Sequence, residues 1–214
     1  MSLEALLPPA SHPGSARALL ALLLLGILFD AAWLALRLRP EIFWAGPDGD
    51  LRERMFRLAR VAAVALPVLA LLFNRLARRA PPGRAARLGG AAMLFGAVAM
   101  PAVLAAAAFT NVKLRFFLPL PALDVFFAAL SGLVLAGRGA PRLEKWGWLS
   151  ITAATGAGLA MGLYAFDAPF LPHFAGAYDD FPRRLIRLAH ESAIVSGMAL
   201  IFLARALEKK RSRR

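Results

Sequence analysis

The sequence predicts an all-α protein that crosses a membrane through about six helices. Of its 214 residues, 59% are hydrophobic and only 18% are charged, whereas a soluble domain is about 45–50% apolar. The apolar residues also form long runs, and a run of about 18 or more is typical of a transmembrane helix. We therefore expect residues 1–214 to form a single transmembrane domain.

Six apolar runs follow one another along the chain, and each has about 20 residues. At about 1.5 Å per residue, this length crosses a hydrocarbon core of about 30 Å. Pro119, Pro121 and Asp124 interrupt the start of the fourth run. A cleaved signal peptide is disfavoured at the first run, because its apolar part is too long and Glu4 lies in the region that should be basic. The predicted spans are residues 17–36, 58–76, 88–109, 117–136, 146–166 and 188–206.

The basic residues predict the orientation of the chain. Six spans place both termini on one side, and that side holds 15 of the 26 Lys and Arg residues. Because basic loops remain in the cytoplasm, we expect both termini to be cytoplasmic. Richness in Ala, Leu and Arg is typical of a high-GC bacterial genome, so the expected location is the bacterial inner membrane. The net charge of +13 then favours contact with anionic lipid headgroups on the cytoplasmic side rather than with nucleic acid.

Two predicted hairpins, formed by the first two and the last two spans, carry similar motifs. The first contains Phe29-Asp30-Ala31 and Arg54-x-x-Arg57-Leu58-Ala59-Arg60, and the second contains Phe166-Asp167-Ala168 and Arg184-x-x-Arg187-Leu188-Ala189-His190. The first motif recurs at an offset of 137 residues and the second at an offset of 130. Two interpretations stay open. The hairpins form a parallel repeat, with Asp30 and Asp167 at equal depth, or the matches are a coincidence in a chain rich in Leu and Ala.

Ionisable residues lie at the outer, non-cytoplasmic ends of the predicted spans, whereas the inner halves hold almost none. A charge within a span is costly, so such residues mark a candidate site or an ion pair between helices. We expect them to face the bundle interior, with Asp124 paired to Arg115 or to an arginine of the second or sixth span. Asp124→Ala would then be destabilising, and a surface change such as Glu208→Ala would not. The candidate cluster consists of Asp30, Arg57, Arg60, Asp124, Asp167, Arg187, His190 and Glu191.

This cluster predicts an outward-facing polar vestibule that binds or passes a small solute or ion. One alternative is an accessory or anchoring subunit of a larger membrane complex, in contact with another membrane protein or a second copy. This alternative is favoured because the inner halves of the spans hold almost no ionisable residues that could form a polar path for a solute. A further alternative is a haem-binding electron carrier that uses His173 and His190. The sequence has no cysteine, no nucleophile with a base and no glycine-rich phosphate loop. We therefore expect no enzymatic activity, no metal site and no cofactor.

Small and aromatic residues predict how the helices pack. Gly158-x-x-x-Gly162 in the fifth span favours close contact with a neighbouring helix. Four tryptophans lie near the predicted interfaces, where aromatic belts are typical of membrane proteins. They are Trp33, Trp44, Trp146 and Trp148.

Overall fold

A computed structural model describes residues 13–37, 49–165 and 181–211 of the chain. The described part is all-α, which confirms the predicted fold class. A short 3₁₀ helix, Val112–Phe117, connects the third and fourth α-helices. The α-helices are α1 (Pro13–Arg37), α2 (Gly49–Ala77), α3 (Arg84–Phe109), α4 (Pro119–Gly137), α5 (Arg142–Ala165) and α6 (Phe181–Arg211).

Four helical segments within the described residues are long and apolar enough to cross a membrane. They lie in α2, in α3, in α4 together with the preceding 3₁₀ helix, and in α6. In α1, the shorter stretch Leu20–Leu34 is also apolar. These helices make the chain a membrane-embedded protein, while the number of six spans stays a prediction. Phe166, the predicted end of the fifth span, lies outside the described residues.

Each helix packs against the next one in the chain, and α2 also contacts α4. We call the end at which α2, α4 and α6 finish the inner end, and the opposite one the outer end. Helix α2 lies at the centre, since 44% of its apolar window is buried, against 11% in α6. The core is filled by large side chains from α2, α3, α5 and α6, among them Phe56, Leu69, Phe73, Met93, Trp148, Ile151 and Ile201.

Two of the four tryptophans lie in this core, so the prediction of an aromatic belt is wrong for them. Trp148 is fully buried and meets Phe73 edge to face, with ring centroids 6.0 Å apart. Its ring lies on Gly132, where an added Cβ would come within 2.5 Å of the indole. Trp33 is buried against Phe56. Trp146 is exposed as a belt residue should be, and Trp44 lies outside the described residues.

Glycines bring α5 and α6 into close contact. A Cβ on Gly147 would lie 2.6 Å from the Gly197 carbonyl oxygen, and one on Gly197 would lie 2.7 Å from the Gly147 carbonyl oxygen. Further along the same interface, Gly158 leaves room for the imidazole of His190. The predicted role of Gly158 in helix contact is therefore confirmed, while the Gly147–Gly197 crossing was not predicted. The surroundings of Gly162 lie outside the part of the chain that the structure describes.

The first and last hairpins pair in different registers. Ala63 of α2 and Ala193 of α6 are equivalent at the offset of 130. The Ala63 backbone packs against Gly26, whereas the Ala193 carbonyl accepts a hydrogen bond of 2.8 Å from Ser150 Oγ. If the hairpins were copies, Ala193 would contact Leu163, the equivalent of Gly26 at the offset of 137. Leu163 lies about three and a half helical turns along α5 from Ser150. The matching letters therefore do not occupy equivalent positions, which favours coincidence. The predicted equal depth of Asp30 and Asp167 lies outside the described residues.

Candidate functional site

The predicted polar cluster is divided among separate places in the bundle. Asp30 and Arg60 lie between α1 and α2, and His190 lies between α5 and α6. Asp124 lines a cleft between α3 and α4. Asp167 lies outside the described residues. The described members therefore do not converge on one vestibule.

Asp30 and Arg60 form an ion pair that joins α1 to α2. The guanidinium carbon of Arg60 also lies 5.2 Å from the centroid of the Trp33 ring, a distance at which cation–π attraction operates. The side chains of Asp30 and Arg60 are 50% and 28% exposed, respectively. Both charges are thus compensated within the chain, as the ion-pair interpretation of the sequence predicts.

His190 also makes a contact between helices. Its Nδ1–H donates a hydrogen bond of 2.7 Å to the Ala154 carbonyl oxygen of α5, and the ring lies against Gly158. Glu191 is exposed, and Arg187 is partly buried. The imidazole therefore faces α5. His173, its proposed partner in haem ligation, lies outside the described residues, so haem binding stays a prediction.

Arg57 lies on the helix surface, so the prediction that it faces the bundle interior is wrong. Its Nε is 3.6 Å from Glu53 Oε1, one turn earlier on α2, and the two side chains are 56% and 35% exposed. Residues four apart are neighbours on a helix surface, so this pair forms without any other helix. Its contribution to stability is about 0–1 kcal/mol.

Asp124 has no hydrogen-bond or ion-pair partner among the described residues. The prediction that it pairs with Arg115 is wrong, because the Arg115 guanidinium lies over the ring of Phe116, 5.2 Å from its centroid. Asp124 is half-buried and lines a cleft of about 520 Å³. We call it the Asp124 cleft. Its other lining residues are Leu88, Gly89, Ala91, Ala92, Phe95, Phe127 and Ser131.

The Asp124 cleft opens on the side of the bundle, about halfway between its inner and outer ends. Gly96, halfway along α3, packs so closely on the Pro121–Val125 turn that a Cβ would lie 2.5 Å from Val125 Cγ2. Asp124 is therefore level with the middle of α3, deeper than the outer-end position that the sequence predicts. Leu88, Phe95 and Phe127 border the cleft and are more than half exposed. The unpaired carboxylate of Asp124 thus lies on an apolar surface at the side of the bundle.

Among the described residues, the most deeply buried ion pair lies at the inner end, where no site was predicted from the sequence. Glu144 of α5 pairs with Arg205 of α6, and their side chains are only 1% and 8% exposed. Arg205 Nη1 also lies 3.5 Å from Glu208 Oε2. The same oxygen accepts a hydrogen bond of 3.1 Å from Arg79, just beyond α2. These four side chains, which we call the inner network, connect α2, α5 and α6.

A cavity of about 320 Å³ borders the inner network. Arg205 Nε is buried and has no hydrogen-bond partner among the described residues. Burial raises the pKa of the Glu144 carboxyl to about 7, although the Arg79 and Arg75 guanidinium groups act to lower it. Glu144 precedes the predicted span that begins at residue 146. The cavity is lined by Leu76, Arg79, Ala80, Pro81, Leu135, Arg138, Gly139, Ala140, Pro141, Glu144, Arg205 and Glu208.

The inner network is absent from the predicted cluster because Arg205 counts among the basic residues of the cytoplasmic side. One signal was available, since Glu144 and Glu208 are acidic residues within an otherwise basic set. Glu208 was predicted to be a plain surface residue, yet it accepts hydrogen bonds from two arginines. Arg75 and Arg205 also match at the offset of 130 residues, yet Arg75 is exposed and Arg205 is buried.

The chain matches no family model, no curated protein and no solved structure. Its function must therefore be argued from the geometry of its own residues. Within residues 13–37, 49–165 and 181–211, no group of three or more His, Cys, Asp or Glu side chains is arranged to hold a metal ion.

Proposed function

We propose that this chain is a non-enzymatic subunit of a larger complex in the bacterial inner membrane, and that it holds a partner helix in the Asp124 cleft. The observation that carries the proposal is the half-buried Asp124 carboxylate, which has no partner among the described residues and faces an apolar outer surface. A charged group in the middle of a membrane helix costs about 2.5–3.5 kcal/mol on insertion scales. A partner that supplies the opposite charge would offset this cost.

The walls of the Asp124 cleft fit a transmembrane helix. Ala91 and Ala92 form a low surface on α3, and small residues of this kind let two helices approach closely in a membrane. The exposed side chains of Phe95 and Phe127 provide apolar contact on either side. An amphipathic or transmembrane helix that lies in such a groove is a recurring mode of recognition.

The charge of Asp124 defines the chemistry of this partner. We infer a helix of a different protein with a Lys or Arg at the depth of Gly96. A second copy docked through the same surface is disfavoured, because a two-fold axis would bring two Asp124 carboxylates together. Two described cations near the outer end, Arg57 and Arg60, are also unsuited to this role, since they already pair with Glu53 and Asp30.

Three other residues of the sequence-predicted cluster, Asp30, Arg60 and His190, support this proposal rather than a solute pathway. The Asp30–Arg60 pair and the His190–Ala154 hydrogen bond each join two neighbouring helices of the chain. Such contacts brace the bundle. They use the charged and donor groups that a vestibule would need to offer to a solute.

Asp124→Ala should abolish partner binding without weakening the isolated chain. Because Asp124 has no described partner, its loss leaves no group unpaired and removes a half-buried charge, so we expect thermal stability in detergent to stay the same or to rise. The measurement is site-specific photo-crosslinking in native membranes from a probe at Phe127. A defined adduct should form, vanish in Asp124→Ala and return in Asp124→Glu. Glu191→Gln is the matched control, because it removes an exposed carboxylate that lacks a described partner.

Identification of the crosslinked protein completes this test. The partner should carry a Lys or Arg within a membrane span, and exchanging the two charges should restore the adduct that either single charge reversal removes. A probe at Leu203, an exposed position on α6, should give no such adduct. An adduct that is indifferent to Asp124, or a large fall in melting temperature for Asp124→Ala, would contradict the proposal.

The topology is tested separately. We expect a reporter fused at Arg214 to behave as cytoplasmic and one inserted at Asp48 to behave as external, because 15 of the 26 basic residues lie on the side of the termini. An Arg214 fusion that is active only outside the cytoplasm would reverse the assignment of both ends.

A further inference from the structure

We infer that the cavity at the inner end binds a phosphate group, carried either by an anionic lipid headgroup or by a soluble phosphate compound. The inference is independent of the Asp124 cleft. It depends on the excess of hydrogen-bond donors in this cavity, on the charge of its lining and on its position.

The lining has more donors than acceptors. Arg79, Arg138 and Arg205 carry three guanidinium groups, each with five N–H donors. Their described acceptors are the carboxylates of Glu144 and Glu208, and Glu208 Oε2 serves two arginines at once. Arg205 Nε is buried without an acceptor among the described residues. This Nε has almost no accessible surface, so the donors left for an acceptor from outside the chain are those of the exposed Arg79 and Arg138.

The ends of the neighbouring helices do not supply that acceptor. The Leu76 carbonyl oxygen accepts the backbone N–H groups of Arg79 and Ala80. The Leu135 and Ala136 carbonyl oxygens accept those of Arg138 and Ala140. The turns after α2 and α4 therefore satisfy these carbonyl groups with their own backbone, and the arginine side chains remain available.

The charge and the position of the cavity both favour an anion of the headgroup layer. Three arginines and two glutamates give the lining a formal charge of +1. Arg138 is exposed at the rim and has no partner among the described residues. Planar guanidinium groups match the oxygens of phosphate in pairs. The cavity lies beyond the apolar parts of α2 and α4, at the level where anionic lipids attract basic residues.

The volume of about 320 Å³ also fits. A water molecule occupies about 30 Å³ in the liquid, so a phosphate and several waters, or a phosphate with its glycerol, can be accommodated. Gly139 has a φ of +138°, and a Cβ added there would meet no atom within 4 Å, so one wall of the cavity is low. The α4–α5 turn, residues 138–141, therefore leaves the ligand an entry path beside Gly139.

The test measures the melting temperature of the purified full chain in a phosphate-free sugar detergent while inorganic phosphate is added at constant ionic strength. Parallel samples in nanodiscs compare phosphatidylglycerol with phosphatidylcholine. We expect a saturable rise with inorganic phosphate if the site takes phosphate in general, and a rise with phosphatidylglycerol alone if it requires the lipid. Arg138→Gln should weaken the apparent affinity for phosphate about tenfold, since one charge-assisted hydrogen bond is lost.

Arg84→Gln is the matched control, because Arg84 is an exposed arginine at the same end that does not line the cavity and has no described partner. It should leave the response unchanged. No stabilisation by either probe would overturn the inference. An equal loss in Arg138→Gln and Arg84→Gln would also overturn it, because that result indicates general attraction to a basic surface. Arg138 makes no described side-chain contact that folding would lose, so the variant remains suitable for measurement.

Discussion

Glu144→Leu should lower the melting temperature of the chain more than any other single charge removal among the described residues. The variant leaves the Arg205 guanidinium buried, with a side chain only 8% exposed, and removes its closest acceptor. Loss of one member of a buried ion pair costs about 3–5 kcal/mol, because the remaining charge stays in a low-dielectric site. The measurement is thermal unfolding in detergent, followed by tryptophan fluorescence, to which the buried Trp148 contributes.

The matched variants separate the buried charge from the pair itself. Glu208→Ala should cost only about 0–1 kcal/mol, because its side chain is 40% exposed and water replaces the lost contact. The double variant Glu144→Leu with Arg205→Met should recover most of the stability, since neither partner is then left charged. If Glu144→Leu melts like Glu208→Ala, the pair is open to water and the inner network does not hold α5 to α6.

The sequence predicts the helical elements of this fold well, because long apolar runs have few alternatives. The predicted span 88–109 ends at the same residue as α3 (Arg84–Phe109), and the span 117–136 lies close to α4 (Pro119–Gly137). Differences arise where polar residues continue a helix beyond its apolar part. α6 begins at Phe181 rather than near residue 188, because an interfacial turn still forms its own backbone hydrogen bonds. The length of an apolar run therefore predicts the length of the membrane span but underestimates the length of the helix.

The candidate site was predicted much less well, because its contacts depend on how the helices are arranged in space. Hydropathy gives the approximate depth of a charge and contains no information on which helix lies beside it. Asp30 and Asp124 look alike in sequence, as single acids near the outer ends of spans. Asp30 meets Arg60, whereas Asp124 meets no described partner, because the registers of α1 on α2 and of α4 on α3 decide these contacts.

The burial of the inner network was not predicted from the sequence for a related reason. Arg205 lies between Ala204 and Ala206 near the basic end of α6, a context typical of an interfacial residue. It is buried because α5 approaches α6 closely at Gly147 and Gly197, which brings Glu144 within reach. The close approach at Gly147, three residues from Glu144, thus explains a burial that hydropathy alone does not indicate.

Gly147→Ala should be the most disruptive methyl addition in the described part of the chain outside the α1–α2 contact. The new Cβ would lie 2.6 Å from the Gly197 carbonyl oxygen and 2.6 Å from Ile201 Cγ1. Since a backbone oxygen cannot rotate away, α5 and α6 must separate. Overpacking of this kind costs about 1–3 kcal/mol. Helix propensity acts in the opposite direction, because Ala is favoured over Gly in a helix by about 1 kcal/mol.

Gly137→Ala is the control for this propensity effect. An added Cβ at Gly137 meets nothing within 4 Å, so the variant should melt at the parent temperature or slightly above it. Gly147→Ala should melt below the parent. Its effect should also be less than additive with Glu144→Leu, because separation of α5 from α6 already weakens the Glu144–Arg205 pair and groups in one network are coupled. Full additivity would mean that the helix crossing and the inner network stabilise the α5–α6 interface independently.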